Sequence, residues 1–548
     1  MRFEKCDTLF SGIAKAYVER EVEAASLFSY DFHDETSFGR RVDHLDGNKN
    51  IPRHPVSRLL VDFQKQLSQA VGLDPEKNAA VENALRLAET NSLAMVTGQQ
   101  AGLFTGPLYT VYKAITCIAQ ARYWEERLNR PVIPIFWVAS EDHDFDESSH
   151  VQILQGEQLL RVAVTELPEE ARQAVGHRPL PEDLLAAVDE FFANVADTTV
   201  KQEWQSLLRD LPAKVTSLNG YFAAVLHRLL GPYGLVMLDP LMPGLKALTE
   251  SRDFFSCVMK KSVVLSEGLT KGVERVRDLG YVPQVEKKVT DAHMFFYHAG
   301  ERLAMERISE GFSLRGKDDV FSPAEIFQQI QDNPESFSPS VVTRPLWQDR
   351  LLPTLAYIAG PGEIAYFASY KPVYEAIDME MPPIIPRLSA TLVEGFIDRL
   401  LKKYDIIPIH DVRQGLEERL NRIIAEQDEL GINALFAELQ AKVKLAYEPV
   451  VEKVGRWDGS IGKAAEENLE RVLGQVQFLQ NKVHQRHRQH CQESRNHFDK
   501  VKKHLWPYGP QERVLNIFPY LFKYDYGLIG QLMELAITDV ETHRILYI

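Results

Sequence analysis

Cysteine is scarce in this 548-residue chain: Cys6, Cys117, Cys257 and Cys491 are all it has. They are far apart and form no C-x-x-C pair. That spacing speaks against a disulfide framework and a zinc knuckle, and suits a reduced, cytoplasmic protein with no zinc or iron–sulfur centre. No apolar run approaches the roughly 18 residues a membrane-spanning helix needs. The opening MRFEKCDTLF lacks the apolar stretch of a secretory signal. Positive charge is in deficit, with 62 Lys and Arg against 77 Asp and Glu and a formal net charge of −15. A nucleic-acid binder would carry the opposite balance. Phosphate-loop signatures are missing too: there is no G-K-[ST] ending and no G-x-G-x-x-G. No H-x-x-x-H pair, low-complexity tract or internal repeat is present. The remainder is the composition of an ordinary globular protein, long enough for roughly two to four domains.

Up to about residue 390, short apolar runs alternate with helical patterns and Gly/Pro punctuation, the texture of an α/β fold. Candidate strands are SLAMVTG (92–98), PVIPIFWVAS (131–140), YGLVMLDP (233–240), PTLAYIAGP (353–361) and PPIIPRLS (382–389). Most are continuously apolar, as parallel strands covered on both faces are, so a doubly wound parallel sheet is expected. Residues 391–510 form a second, helical and charge-rich domain. There Ala465, Leu469, Val472, Val476, Leu479 and Val483 recur at steps of 4, 3, 4, 3 and 4, a heptad seam. The upstream segment QGLEERLNRIIAEQDELG (414–431) is a candidate antiparallel partner, and pairing within or between chains is equally compatible with the pattern. The basic end of this helix, HQRHRQHCQESRNHFDKVKKH, reads as a solvated face or an anion contact. Residues 511–548 return to mixed apolar texture and are expected to pack back on the body.

LAMVTGQQAGLFTGPLYTVYK reads as strand, loop and helix, with Gly98, Gly102 and Gly106 recurring every four residues. Glycines let backbone N–H groups approach a ligand closely, and the following helix N-terminus favours an anion. Pro107 suits the first helical turn, with Thr105 or Gly106 as cap. Tyr109 and Lys113 lie one turn apart on one face. The lysine could meet a phosphate or carboxylate, or simply sit on the surface.

SEDHDFDE follows the apolar run PVIPIFWVA and sets five carboxylates and one histidine in seven residues, 141–147. Unpaired buried charges are costly, so some must point outward. Asp142 or Asp144 with His143 could hold a divalent cation such as Mg²⁺. His143 could be a general base oriented by a carboxylate. A carboxylate could bind a substrate ammonium, or the stretch could be an acidic turn capping the next helix. A third turn, AGPGE, places Gly360, Gly362 and Glu363 between a strand and a helix. PRLSAT offers Arg387 and Ser389, which with Trp506, Tyr508 and Arg513 could form a second nucleotide site or ordinary interdomain packing.

TGQQAGLFTGPLYTVYK, PVIPIFWVASEDHDFDE, RPLWQDRLLPTLAYIAGPGEIAYFA, PRLSATLVE and GPQERVLNIFPYL together resemble the bacillithiol biosynthesis cysteine-adding enzymes, in order and along essentially the whole chain. The resemblance implies a Rossmann-like core ligase domain over 1–390, with connecting inserts near 150–230 and 300–340, and a coiled coil that promotes homodimerisation. It implies a reaction joining the carboxyl of cysteine to the amine of glucosaminyl-malate, with neither nucleic acid nor membrane as partner. It carries over a cleft made by the Thr97–Gly106 loop (Thr97, Gly98, Gln99, Gln100, Gly102, Gly106), Tyr109, Lys113, Glu141 to Asp144, and Gly360 to Glu363. Within it His143 is the leading candidate, while Asp146 and Glu147 start and cap the next helix. Amide formation needs an activated acid, so ATP or another nucleotide is expected, with Lys113 and loop N–H groups as donors to developing negative charge. The synthetase signatures H-x-G-H and K-M-S-K-S are absent, so the nucleotide should bind differently or another donor should serve. Competing readings are a metal-dependent hydrolase built on EDHD and a non-catalytic dimeric scaffold or ligand sensor.

Overall fold

The computed structural model describes residues 2–156, 158–167, 172–426, 431–538 and 540–548. All five apolar runs become strands of one sheet: β1 (Leu93–Gln99), β2 (Val132–Val138), β3 (Val236–Leu238), β4 (Thr354–Ala359) and β5 (Ile384–Pro386). Their spatial order is β3-β2-β1-β4-β5, and every neighbouring pair is parallel. The strands are buried almost throughout, which explains their unbroken apolar sequences. Helix α1 (Leu108–Leu128) carries the chain from β1 to β2 and buries most of its residues. Short helices α2 (Arg344–Leu351) and α3 (Pro361–Phe367) precede and follow β4. The strand order reverses between β1 and β4, and ligands of such sheets gather beyond the carboxyl ends at that point.

Two insertions interrupt the sheet. After β2 come the hairpin His150–Gln155 and Gln158–Ala163 and helices Leu184–Ala193, Thr199–Asp210 and Leu218–Leu230. After β3 comes an antiparallel sheet of Asp291–His298, Glu301–Ile308, Gly311–Leu314, Val320–Phe321 and Phe337–Pro339. The last strand of the chain, His543–Tyr547, lies between Arg2–Cys6 and Ser389–Val393. Residues 1–392 and 509–548 accordingly form one unit, and residues 393–508 a second.

In the helical unit, α4 (Ile432–Trp457) and α5 (Gly459–His490) form an antiparallel hairpin. Gln440 bonds Gln477 (3.4 Å), Tyr447 bonds Asn468 (3.1 Å), and His484 bonds Asn433 (3.1 Å). The turn is tight because both helices carry glycine there: a Cβ on Gly462 would stand 2.6 Å from the Gly455 Cα. Asp458 caps α5 through Ser460 N–H (2.8 Å). The helix that carries the heptad seam therefore pairs within the chain, with residues 432–457 rather than 414–431, while Leu479 of the seam stays exposed. Pro449 lies inside α4, and an internal proline ordinarily reads as a helix end. Of the expected partner, Glu417–Glu426 is a separate short helix; residues 427–430 lie outside the described residues. Among the described residues no helix is long and apolar enough to cross a membrane.

Candidate active site

A cleft of about 370 Å³ opens at the carboxyl edge of the sheet, within the range of small-molecule sites. β1 contributes Gly98, Gln99 and the following Gln100; the turn after β2 contributes Glu141, Asp142, His143 and Glu147; α3 contributes Glu363. The inserted antiparallel sheet and the start of α2 supply the facing wall, including Phe295, Arg302 and Arg344. Three turns that are far apart in sequence thus meet at one place because β1, β2 and β4 are neighbours.

The glycine loop is built for close packing. A Cβ on Gly98 would meet the Trp137 carbonyl of β2 at 2.7 Å, and one on Gly102 would meet the Gly106 Cα at 2.8 Å. Phe104, Thr105 and Gly106 all have positive φ, a costly arrangement for a β-branched residue. Asn516, from the C-terminal segment, holds it in place: its amide donates to the carbonyls of Phe104 (3.1 Å) and Gly106 (2.6 Å). Helix α1 begins at Leu108, whose N–H donates to the Leu515 carbonyl (2.8 Å). The expected cap by Thr105 or Gly106 is absent, and a buried main-chain carbonyl takes the place of an anion at this helix end. Residues 101–106 are buried, so Gly102 and Gly106 shape the loop without lining the cleft. Thr97 is likewise buried, with its hydroxyl donating to the Ile358 carbonyl (3.0 Å).

Lys113 is fully buried behind β1 rather than on the surface. Its ammonium donates to the Glu363 carboxylate (2.6 Å), to Gln99 Oε1 (3.1 Å) and to the Gly98 carbonyl. Burial, opposed by Glu363, lowers its pKa. With three partners for three protons it braces the cleft floor, and the expected role as a direct phosphate donor is revised accordingly. Glu363 is equally committed, accepting from Tyr357 O–H (2.7 Å) and Gly360 N–H (2.7 Å). Gly360 and Gly362 form the turn that allows this cap.

In the acidic turn the residues divide sharply. Glu141 is buried and paired with the buried Lys246 (2.7 Å), and Tyr297 O–H donates to it (3.3 Å). Asp142 accepts from the His143 N–H (2.7 Å) and faces the imidazole Nδ1 (3.3 Å). Burial works against its ionisation, but His143 and Arg302 outweigh that and hold its carboxyl at about 2. His143 itself is 55% exposed. Asp144, expected in the cleft, instead caps the short helix Phe145–Ser148 by accepting from the Glu147 N–H (3.3 Å). Glu147, expected as the cap, lines the cleft: Gln99 Nε2 (3.0 Å) and Tyr109 O–H (3.3 Å) donate to it. Desolvation, then Asp144, pushes its carboxyl up. The exchange arises because the helix begins at Phe145, so that Asp144 holds the capping position. Asp146 pairs outward with Arg161 (2.7 Å). Ser140 and Asn219 both donate to the buried Asp239 just past β3, fixing the base of the turn.

Arg387 and Ser389 are closed off from ligand by Glu512. Its carboxylate accepts from Arg387 Nη2 (2.8 Å), Ser389 O–H (3.1 Å) and Ala390 N–H (3.0 Å). Burial opposes ionisation of Glu512, and Arg387 outweighs it. Arg513 is exposed, while Trp506 and Tyr508 belong to the helical unit. Among the described residues no three His, Cys, Asp or Glu side chains gather as a metal centre would require. With Glu141 committed to Lys246 and Asp144 to a helix cap, EDHD does not assemble the three protein ligands of a hydrolytic zinc site. Lys246, Tyr297, Arg302, Arg344, Glu512 and Asn516 escaped sequence reasoning because none stands in a local motif of its own. Only the length of the shared segments RPLWQD and GPQERVLN hinted at three of them.

Two family profiles match the chain: Bacillithiol biosynthesis BshC, N-terminal Rossmann-like domain, over residues 1–388, and Bacillithiol biosynthesis BshC, C-terminal coiled-coil domain, over 390–548. A protein of Heliobacterium modesticaldum named "Putative cysteine ligase BshC" is 52% identical over 99% of both chains. Proteins of the same name from Symbiobacterium thermophilum and Bacillus licheniformis are 34% and 31% identical, over 98% and 96% of both chains.

Proposed function

The chain belongs to the BshC family of bacillithiol biosynthesis, and we propose that it is a ligase joining the carboxyl of cysteine to the amine of glucosaminyl-malate, the last step to bacillithiol. The observation that carries this reading is the switch-point cleft, where a histidine braced by an ionised aspartate stands among groups of both charges. An amine attacks only when neutral. His143, open to the cleft and oriented by Asp142, is placed to take the proton. Glu147 offers an acceptor for a substrate ammonium, with Gln99 and Tyr109 fixing its carboxylate.

A free carboxylate does not form an amide spontaneously in water, so the cysteine carboxyl must first be activated; ATP or another nucleotide is the donor we assign. Asp142, a carboxylate lining the cleft, is the residue that would hold Mg²⁺, which would screen the phosphates. Lys113 acts indirectly, holding Glu363 and Gln99 in place. The reaction belongs in the reducing cytoplasm, where the product thiol survives. The helical hairpin would join two chains. Pairing of α4 with α5 leaves Leu445, Val450, Trp457 and Phe478 exposed, and apolar residues on one slender hairpin favour a second copy.

Purified protein given cysteine, glucosaminyl-malate, ATP and Mg²⁺ is expected to form bacillithiol, releasing AMP or ADP only when both substrates are present. Absence of product under conditions where a verified relative turns over would refute the assignment. His143→Ala should lower kcat by about 10²–10⁴-fold, the usual worth of a general base. Its unfolding midpoint should not move, because the imidazole is half exposed.

A further inference from the structure

The cleft's charges do not balance among themselves. Two of its carboxylates have dedicated cations outside the lining: Glu141 has Lys246 and Glu363 has Lys113. Asp142 is matched to His143, with Arg302 acting on it at longer range. Arg302, Arg344 and Lys287 also line the cleft, and among the described residues none of the three has a carboxylate within ion-pair distance. Set against Glu147, whose partners Gln99 and Tyr109 are neutral, these three cations leave net positive charge facing the space a ligand would occupy.

Arg344 is the most constrained of them. It opens helix α2 directly after the edge strand Phe337–Pro339. Its Nη1 donates to Gln348 Oε1 (3.0 Å), and the rings of Trp137 (5.7 Å) and Tyr357 (5.5 Å) lie beside the guanidinium. The rings dehydrate it, and its Nη2 is buried and among the described residues meets no hydrogen-bond acceptor. A shielded guanidinium with an unused donor is costly to keep unless something anionic meets it. Arg302 is held rigidly. It stacks on Phe295 (3.7 Å), and its Nε and Nη2 donate to Ser338 Oγ (3.0 Å) and the Pro339 carbonyl (3.2 Å). Lys287 stands exposed at the rim. A planar guanidinium matches a carboxylate in a way a hydrated ammonium does not. Two preorganised arginines with an exposed lysine at the mouth suit a ligand bearing two carboxylates.

We propose that Arg302 and Arg344, with Lys287 at the rim, form an oxyanion subsite that holds the dicarboxylate end of the acceptor. The identity of the acceptor rests on the ligase reading; the subsite itself does not. Once the dicarboxylate is anchored on the insert wall, the amino sugar is left to extend toward His143, so these residues set acceptor specificity and position rather than chemistry.

The test uses the full-length protein with four probes: glucosaminyl-malate, methyl glucosaminide, L-malate and ATP with Mg²⁺, each titrated calorimetrically. Arg344→Gln and Arg302→Gln should each weaken glucosaminyl-malate and L-malate by about 10–100-fold, the worth of a charge-assisted hydrogen bond. Methyl glucosaminide, which has no carboxylate, and ATP should bind as to wild type. Weakening of ATP instead would identify the anion as a phosphate and overturn the dicarboxylate assignment. Unchanged binding of every probe would overturn the subsite. Wild type that binds L-malate but not glucosaminyl-malate, with malate lost in the variants, would sustain the subsite while refuting the ligase's acceptor. Should Arg344→Gln fail to fold, Arg302→Gln, on the strand Glu301–Ile308 rather than on α2, decides by the same criteria.

Discussion

At the scale of single residues, Glu141 shows how the acidic turn can enter the protein. A carboxylate at this depth persists because Lys246 and Tyr297 reach it from segments about 100 and 150 positions further along the chain. Removing only one partner of such a pair strands the other charge. Lys246→Met is therefore expected to destabilise the protein by about 3–5 kcal/mol, whereas Lys246→Met with Glu141→Gln should recover much of that loss. Urea unfolding of the single and double variants measures the difference. Nothing near Glu141 in sequence distinguishes it from Asp144 or Asp146. The residue types in 141–147 announce a site, but which carboxylate is buried, which caps and which faces the cleft depends on partners that arrive from elsewhere.

At the scale of elements, the glycine loop owes its shape to a segment more than 400 residues away. Its three left-handed residues and the start of α1 are held by Asn516 and Leu515. Asn516→Ala leaves buried carbonyls unsatisfied and should cost about 1–3 kcal/mol. Because Gln99 and Gln100 sit at the foot of this loop, substrate affinity should fall as well, which calorimetry would detect. The helical hairpin makes the opposite point. Its seam was plain in the heptads of α5, yet Pro449 concealed the partner helix. Replacing Phe478 and Leu445, both more than half exposed, with glutamate should leave the hairpin folded and lower the mass in solution to that of a monomer. Light scattering and circular dichroism together test this, and a dimer that survives refutes assembly through the hairpin.

For the whole molecule, stability should fall in acid for an identifiable reason. His227 and His293 are buried, and burial lowers both to about 4 from the ordinary 6.5. The unfolded chain therefore takes up protons on them below pH 6.5, while the folded protein does so only near pH 4. Their neutral forms support the fold fully above pH 6.5, and this support is lost as pH falls towards 4, on the order of 3 kcal/mol for each histidine. Asp142 extends the trend, since its contribution fades between the ordinary carboxylate range and about 2. The thermal midpoint is expected to drop steadily from pH 7 to pH 4.5, and His227→Gln to flatten that slope. An unchanged slope in the variant would remove His227 from the account.

The sequence by itself determined the five parallel strands, the turns that follow them and the heptad seam of α5. Each is a local pattern: continuous apolar runs, glycine spacing and a seven-residue period are written over a few consecutive positions. Only the tertiary structure decided that β4 lies beside β1, bringing the glycine loop, the acidic turn and Glu363 to one cleft. It also turned Lys113 inward, exchanged the roles of Asp144 and Glu147, closed Arg387 with Glu512 and, among the described residues, left Arg302 and Arg344 without a carboxylate at ion-pair distance. These outcomes depend on which distant side chain reaches a given charge, because a buried charge is tolerated only where a partner meets it. No stretch of chain shorter than the fold encodes that meeting.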